Sequence, residues 1–324
     1  MLEDIYKHII RLVAHLSLKV IESENIKSMC TSPQDLAVIC HTKKYTNCEP
    51  IGMLLYHLAY FDYFEKRGGV YTLNENWQQV LYNKSESSRF LTEQGLYPLY
   101  LLHEHLAKDF LAIIRNESNL INPRELIYYF DVIDCSKGME QIRSEAISQL
   151  TNIADFERIF DFSLTLGYSS IQLANLFPES EIYSLQLNPV FQPAYDYTMR
   201  RFHKDNIKFS QSYPSKVLEE VMEEKVDLIT FFNPFGFEFY NFERYLSLAE
   251  QFSREGTQFL LLSPFTNEIN TALLAEWLAF TIKNIGEYPS YDLLKIEMND
   301  FNFQVSERKN SSNIIHAQFI KELD

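Results

Sequence analysis

Phe160-Asp161-Phe162-Ser163-Leu164-Thr165-Leu166-Gly167-Tyr168-Ser169-Ser170 is the stretch on which the reading of the fold turns. Arg158 to Phe162 is a short run dominated by aromatic and β-branched residues, which reads as a buried strand. A glycine then marks a turn, and Ser169 to Phe177 has the spacing of a helix. Glu181 to Leu187 follows as a second strand, so strand, glycine turn, helix and strand form one unit.

The same grammar continues downstream. Ile207 to Ser210, Val226 to Phe232 and Thr257 to Ser263 read as further strands separated by helical segments. Such alternation predicts a doubly wound, mostly parallel sheet. A helix capped by Ser290 runs to Met298, and Asp300 to Val305 and Asn313 to Lys321 read as two closing strands.

The amino-terminal part is written differently. Ile5, Ile9, Leu12, Val13, Leu16 and Val20 recur at helical spacing. Ser32-Pro33 offers a cap and a first-turn proline to a short helix, and Glu49-Pro50 opens a longer apolar one through Phe61. Asp62 to Leu73 then reads as two short strands around Gly68-Gly69. Three helices and a hairpin make a winged helix. Its third helix, Cys48 to Phe61, has no Lys or Arg, which argues against DNA reading. Helical patterns continue from Gly95 to Ile114 and from Arg124 to Leu150.

Composition narrows the function classes. With 324 residues the chain is long enough for two cores, and 46% hydrophobic residues can fill them. The formal net charge of -15 repels phosphate backbones and anionic membrane surfaces, so neither nucleic acid nor membrane is expected as a partner. Cys30, Cys40, Cys48 and Cys135 form no CxxC pair and no zinc spacing; reduced thiols and a cytoplasmic setting are expected. His103-Glu104-His105 places its histidines two apart, on opposite sides of a helix, so no metal site is expected there.

On these motifs nearly the whole chain resembles the S-adenosylmethionine (SAM) dependent class I methyltransferases, of the O-methyltransferase type. The expected fold class is α/β: a mostly helical winged-helix domain, then a Rossmann-like seven-stranded methyltransferase sheet. The resemblance divides the chain into a dimerisation domain over 1–94, a helical linker and substrate-pocket region over 95–150, and a methyltransferase-like domain over 151–324. It implies a homodimer joined through the amino-terminal domain and a small-molecule acceptor.

The same resemblance assigns site residues. In that family an Asp precedes a Gly-x-Gly-x-Gly turn against SAM; here Asp161 is followed by Ser163, Thr165 and Gly167 at the glycine positions. Gln186 stands where an acid binds the ribose hydroxyls, and Ser212 where one contacts adenine. Where the family has a histidine as general base, the nearest candidates are Glu238 and Tyr240. Asn233-Pro234-Phe235 is similar to the Asn-Pro-Pro-aromatic motif of amino-group methyltransferases, which makes Asn233 a candidate at both the acceptor and the cofactor edge. Phe231 to Phe242 and Tyr97 to Tyr100 are rich in aromatics that suit a flat ligand, although a core position is the plainer reading. Two functions stay open: SAM-dependent methyl transfer to a small-molecule hydroxyl through a divergent cofactor site, or a methyltransferase fold without that activity. The second covers a SAM-independent enzyme or a non-catalytic homodimeric or partner subunit.

Overall fold

The computed structural model describes residues 2–77, 84–115, 120–150, 156–164, 166–209, 216–236, 242–283, 288–306 and 313–320. They form two compact units.

The helical unit comprises Asp4–Glu125 and Ile269–Asn284. It begins with α1 (Leu2–Ser23), whose Ile5, Ile9, Leu12 and Val13 are fully buried, as the helical spacing predicts. A short α2 (Ile26–Met29) leads to the two-residue β1 (Gln34–Asp35), then to α3 (Leu36–Lys43) and α4 (Glu49–Tyr60). The hairpin β2 (Phe64–Arg67) and β3 (Val70–Leu73) turns on Gly68 and Gly69, both at positive φ. The three strands lie in the order β1-β3-β2. Next come α5 (Lys84–Glu93) and α6 (Tyr97–Ile114).

Two expectations need correction here. Ser32-Pro33 does not open α3; Gln34 and Asp35 pair with Tyr71 and Val70, which keeps the chain extended past the proline. Asp35 is the cap instead, its carboxylate accepting from the Ala37 amide at 2.7 Å. Nor are all four cysteines reduced, because Cys40 of α3 and Cys48 at the start of α4 are joined in a disulfide with Cα atoms 6.0 Å apart. A helix, a turn and a helix bring them together, which a search for CxxC or zinc spacing does not register.

The larger unit holds Leu126–Glu268 and Ile285–Asp324. Its first helices, α7 (Ile127–Asp134) and α8 (Lys137–Ile147), divide what the sequence reads as one helical stretch. Ser136 makes the break by capping α8, its hydroxyl accepting from the Met139 amide. Then follow β4 (Arg158–Phe162), α9 (Tyr168–Leu176), β5 (Glu181–Leu185), α10 (Gln192–Arg201), β6 (Ile207–Phe209), α11 (Lys216–Glu224), β7 (Val226–Phe232), α12 (Phe242–Phe252) and β8 (Ser253–Leu262). Helix α13 (Ile269–Ala279) belongs to the helical unit, after which α14 (Tyr291–Asp300), β9 (Phe303–Val305) and β10 (Ile314–Phe319) close the chain.

The sheet order is β6-β5-β4-β7-β8-β10-β9. Strands β4 to β8 pair in parallel, and β10 is antiparallel to both β8 and β9. The core is aromatic. Phe160 meets Phe252 at 4.6 Å between ring centroids, while Phe162 and Phe231 both meet Tyr245 edge-on at 5.1 and 5.0 Å. Phe231 and Phe242 thus belong to the packing of α12 on the sheet. Burying each such ring contributes about 1.5 to 3 kcal/mol.

Candidate ligand site

Open α/β sheets bind ligands beyond the carboxyl ends of their strands, where the strand order reverses. Here the chain runs outward from β4 to β5 and β6, then returns to place β7 on the other side of β4. The reversal therefore lies between β4 and β7. Asp161, Ser163, Gly167, Gln186 and Asn233, all singled out from sequence, fall at the carboxyl ends of β4, β5 and β7 or in the turns just beyond. Thr165, Ser212, Glu238 and Tyr240 lie outside the described residues.

Asp161 sits in register with Ser184 of β5 and Thr230 of β7. Its carboxylate is wholly buried. Oδ2 accepts from the hydroxyls of Ser169 and Ser170 at 2.6 and 2.5 Å, and Oδ1 accepts from Thr230 at 2.7 Å. Ser170 and Ser184 are also 2.6 Å apart, and the Tyr195 hydroxyl donates to Ser184 at 2.8 Å. Burial pushes the Asp161 carboxyl above its ordinary value, against the opposing pull of the three hydroxyls and Arg143. The group ties α9 to two strands.

The turn after β4 is held from α7 as well. Asp134 Oδ1 accepts from Arg143 Nη1 at 2.6 Å, and Oδ2 lies 3.5 Å from the Leu166 amide. Arg143 Nε donates to Gln172 Oε1 at 2.6 Å, which locks the buried ion pair to α9. Leu164 and Leu166 are buried. Gly167 caps α9 at φ +93, and a Cβ there would stand 2.5 Å from the Met199 sulfur. Glycine is therefore required both by its backbone and by the closeness of α10.

Ser163 is different. Its amide extends the sheet by donating to the Leu185 carbonyl at 3.0 Å, but its hydroxyl, 1% exposed, has no hydrogen-bond partner among the described residues. An unmade hydrogen bond at a buried polar group costs about 1 to 3 kcal/mol. One position beyond β5, Gln186 turns its amide oxygen onto the Asn188 amide at 2.8 Å. Asn188 repeats the device on Val190 at 2.9 Å, so this loop is shaped by two consecutive side-chain turns.

Beyond β7, the Asn233 amide donates to the Leu262 carbonyl at 2.8 Å and its carbonyl accepts from Gly236 at 3.1 Å. Gly236 is at φ +64, and a Cβ on it would fall 1.8 Å from the Tyr288 ring. The Tyr288 hydroxyl donates to the Phe235 carbonyl at 2.7 Å and so holds the same turn. Sequence reading missed Tyr288, Asp134 and Arg143. The only available signal was charge on an otherwise apolar helix face for Asp134 and Arg143, and there was none for Tyr288.

His103 and His105 do not act together. His103 is buried, accepts from Trp277 Nε1 at 3.2 Å, and is pushed down to about 3 by burial; His105 faces Asp109 at 3.6 Å. Elsewhere Glu181, Glu220 and Glu224 bring their carboxylates within 4.8 Å of one another, but Lys208 and Arg158 already pair with them. Among the described residues no helix is long and apolar enough to cross a membrane.

No protein-family model and no curated protein matches the chain. Solved structures do. The citrinin polyketide synthase CMeT domain is similar over 98% of this chain and 90% of its own, with TM-score 0.66 and 14% identity. The CurJ carbon methyltransferase gives 98% and 93%, TM-score 0.60 and 13% identity. An O-methyltransferase family protein from Burkholderia thailandensis gives 97% and 96%, TM-score 0.53 and 14% identity. The fold is that of the class I methyltransferases. In this methyltransferase fold the strand order places the closing antiparallel strand, β10, between β8 and β9. The likeness extends over nearly all of the chain, including the helical unit.

Proposed function

We propose that this methyltransferase-fold protein transfers a methyl group from SAM to a small-molecule hydroxyl, and that it holds SAM through backbone and neutral polar groups. The observation that carries this reading is the buried hydroxyl of Ser163 at the reversal point of the sheet, which has no partner among the described residues. A ligand polar group there would complete it. Ser163 and, after a turn of its side chain, Gln186 are the residues that would hold SAM, which supplies an electrophilic methyl group when bound. Asp161 acts one layer below, fixing the amino-terminal turn of α9.

Replacing a carboxylate on the ribose hydroxyls by an amide forgoes a charge-assisted contact of about 1.5 to 3 kcal/mol. The dissociation constant is then expected to be roughly tenfold to a hundredfold weaker than at an acid-anchored site. The fold is common to carbon and oxygen methyltransferases, so the choice of a hydroxyl acceptor rests on Glu238 and Tyr240 as nearby bases in the chain. For the helical unit, helix, strand, two helices and hairpin with β3 central support a winged-helix reading and a homodimer built on its apolar helices.

A second reading, a fold that no longer binds SAM, is favoured by one observation: the amide oxygens of Gln186 and Asn188 are both engaged in shaping their own loop. Isothermal titration with SAM and S-adenosylhomocysteine separates the two. Saturable heat with a dissociation constant in the micromolar range is the expected result, followed by an acceptor screen. No heat at millimolar ligand together with no thermal stabilisation would overturn SAM dependence in favour of the second reading.

A further inference from the structure

We propose a second ligand site, for a small zwitterion with an aromatic body of the α-amino acid class, between α7, the start of α9 and α10. The cavity measures about 230 Å³ and is flanked by Tyr128, Tyr168 and Tyr197. Tyr128 and Tyr197 are 71% and 64% exposed, an unusual state for aromatic rings on a cavity wall. A cavity of roughly 150 Å³ accommodates one benzene ring, so this one has room for a ring and a short charged head.

Two charges line it, and each has bonding capacity in hand. Asp131 accepts from the Tyr168 hydroxyl at 2.9 Å through Oδ1, and among the described residues its Oδ2 accepts no hydrogen bond. Arg201 lies with its guanidinium 5.1 Å from the Phe202 ring and, among the described residues, has no ion pair or hydrogen bond. A simple cation would satisfy Asp131 beside an uncompensated Arg201, and a simple anion the reverse. A ligand carrying both an ammonium and a carboxylate answers both groups, and its net neutrality avoids the repulsion that a chain of charge -15 imposes on anions. An aromatic body would cover the exposed tyrosine faces.

The site is not isolated from the sheet. Leu166 lines the cavity and belongs to the turn after β4, whose position Asp134 helps to set. Occupancy would therefore be felt at the turn that also carries Ser163. The site uses its own residues, so its existence does not depend on SAM binding.

Titration of the whole chain with L-phenylalanine and L-tyrosine tests the proposal, with phenethylamine and 3-phenylpropionate as analogues that each lack one charge. The expected result is submillimolar binding of the amino acids and at least about tenfold weaker binding of either analogue. Arg201→Gln, at an exposed side chain, should leave the melting temperature unchanged, weaken phenylalanine about tenfold and leave phenethylamine as before. Absence of heat from both amino acids at millimolar concentration overturns the site. So does an Arg201→Gln protein that binds phenylalanine as tightly as the original. If SAM fails to bind while phenylalanine still does, the second site stands and only the SAM reading falls.

Discussion

The turns that follow β4 and β7 leave adjacent strands at the same edge of the sheet, and both require a glycine in the left-handed region. They are fixed by different chemistry. After β4 the fixings are polar: Asp161 gathers three hydroxyls, and Asp134 reaches the Leu166 amide while paired to Arg143. After β7 one aromatic ring does the work, with Tyr288 lying on Gly236 and donating to the Phe235 carbonyl. The first turn is shaped by a network that can yield one member at a time. The second has backbone bonds at Asn233 and Gly236, but its side-chain fixing comes from one ring that both packs on the glycine and bonds the turn.

Gly236→Ala should therefore cause the largest change. Its Cβ would fall within bonding distance of the Tyr288 ring, so either the ring or the turn must leave its place. Overpacking of about 1 to 3 kcal/mol and a left-handed alanine of about 1 to 2 kcal/mol together predict a loss of roughly 4 kcal/mol in urea unfolding. The double variant with Tyr288→Ala should show less than the sum of the two single losses, because the clash is removed. Additive losses would mean that the ring does not hold this turn.

That contrast also explains what could be read in advance. Strands β4 and β7 match their sequence-based bounds, because a run of apolar and β-branched residues reports burial directly. Gly167 was legible since glycine before a helical pattern signals a turn, and Ser169 and Ser170 lie within one helical turn of it. Tyr288 was not, because it stands 53 positions from Phe235 and nothing local distinguishes it from any other core tyrosine. The Cys40–Cys48 disulfide was hidden for a related reason: its pairing follows from how α3 and α4 fold back, not from spacing. At the site, residue identity gave position but not orientation. Gln186 and Ser163 were found on the edge as candidates, while the inward turn of the Gln186 amide and the orphaned Ser163 hydroxyl exist only in three dimensions.

Asp161→Ala should come next in size. It would leave the Ser169, Ser170 and Thr230 hydroxyls without their acceptor in a site closed to water. Ser170 and Ser184 can still bond each other, so the network loses less than three full bonds. A loss of about 3 kcal/mol is expected. Asp161→Asn keeps one acceptor oxygen in the network and should recover at least half of that loss. An Asn variant as unstable as the Ala variant would show that one acceptor oxygen cannot sustain the network and that both carboxyl oxygens are needed.

The smallest effect belongs to Gly167→Ala, and it sharpens the comparison because the obstacle here is soft. The new Cβ would meet the Met199 sulfur at 2.5 Å, near the end of an unbranched side chain that can turn away. Tyr195, 3.2 Å off, cannot yield as easily because its hydroxyl is bonded to Ser184. The steric part should thus be about 1 kcal/mol and the left-handed backbone about 1 kcal/mol more, roughly 2 kcal/mol in all. Adding Met199→Ala should bring out the distinction: it costs about 2 kcal/mol or more alone, yet it should absorb most of the steric part of Gly167→Ala. A coupling near zero in that cycle would place the whole cost in the backbone, and the closeness of α9 to α10 would then not be what demands the glycine.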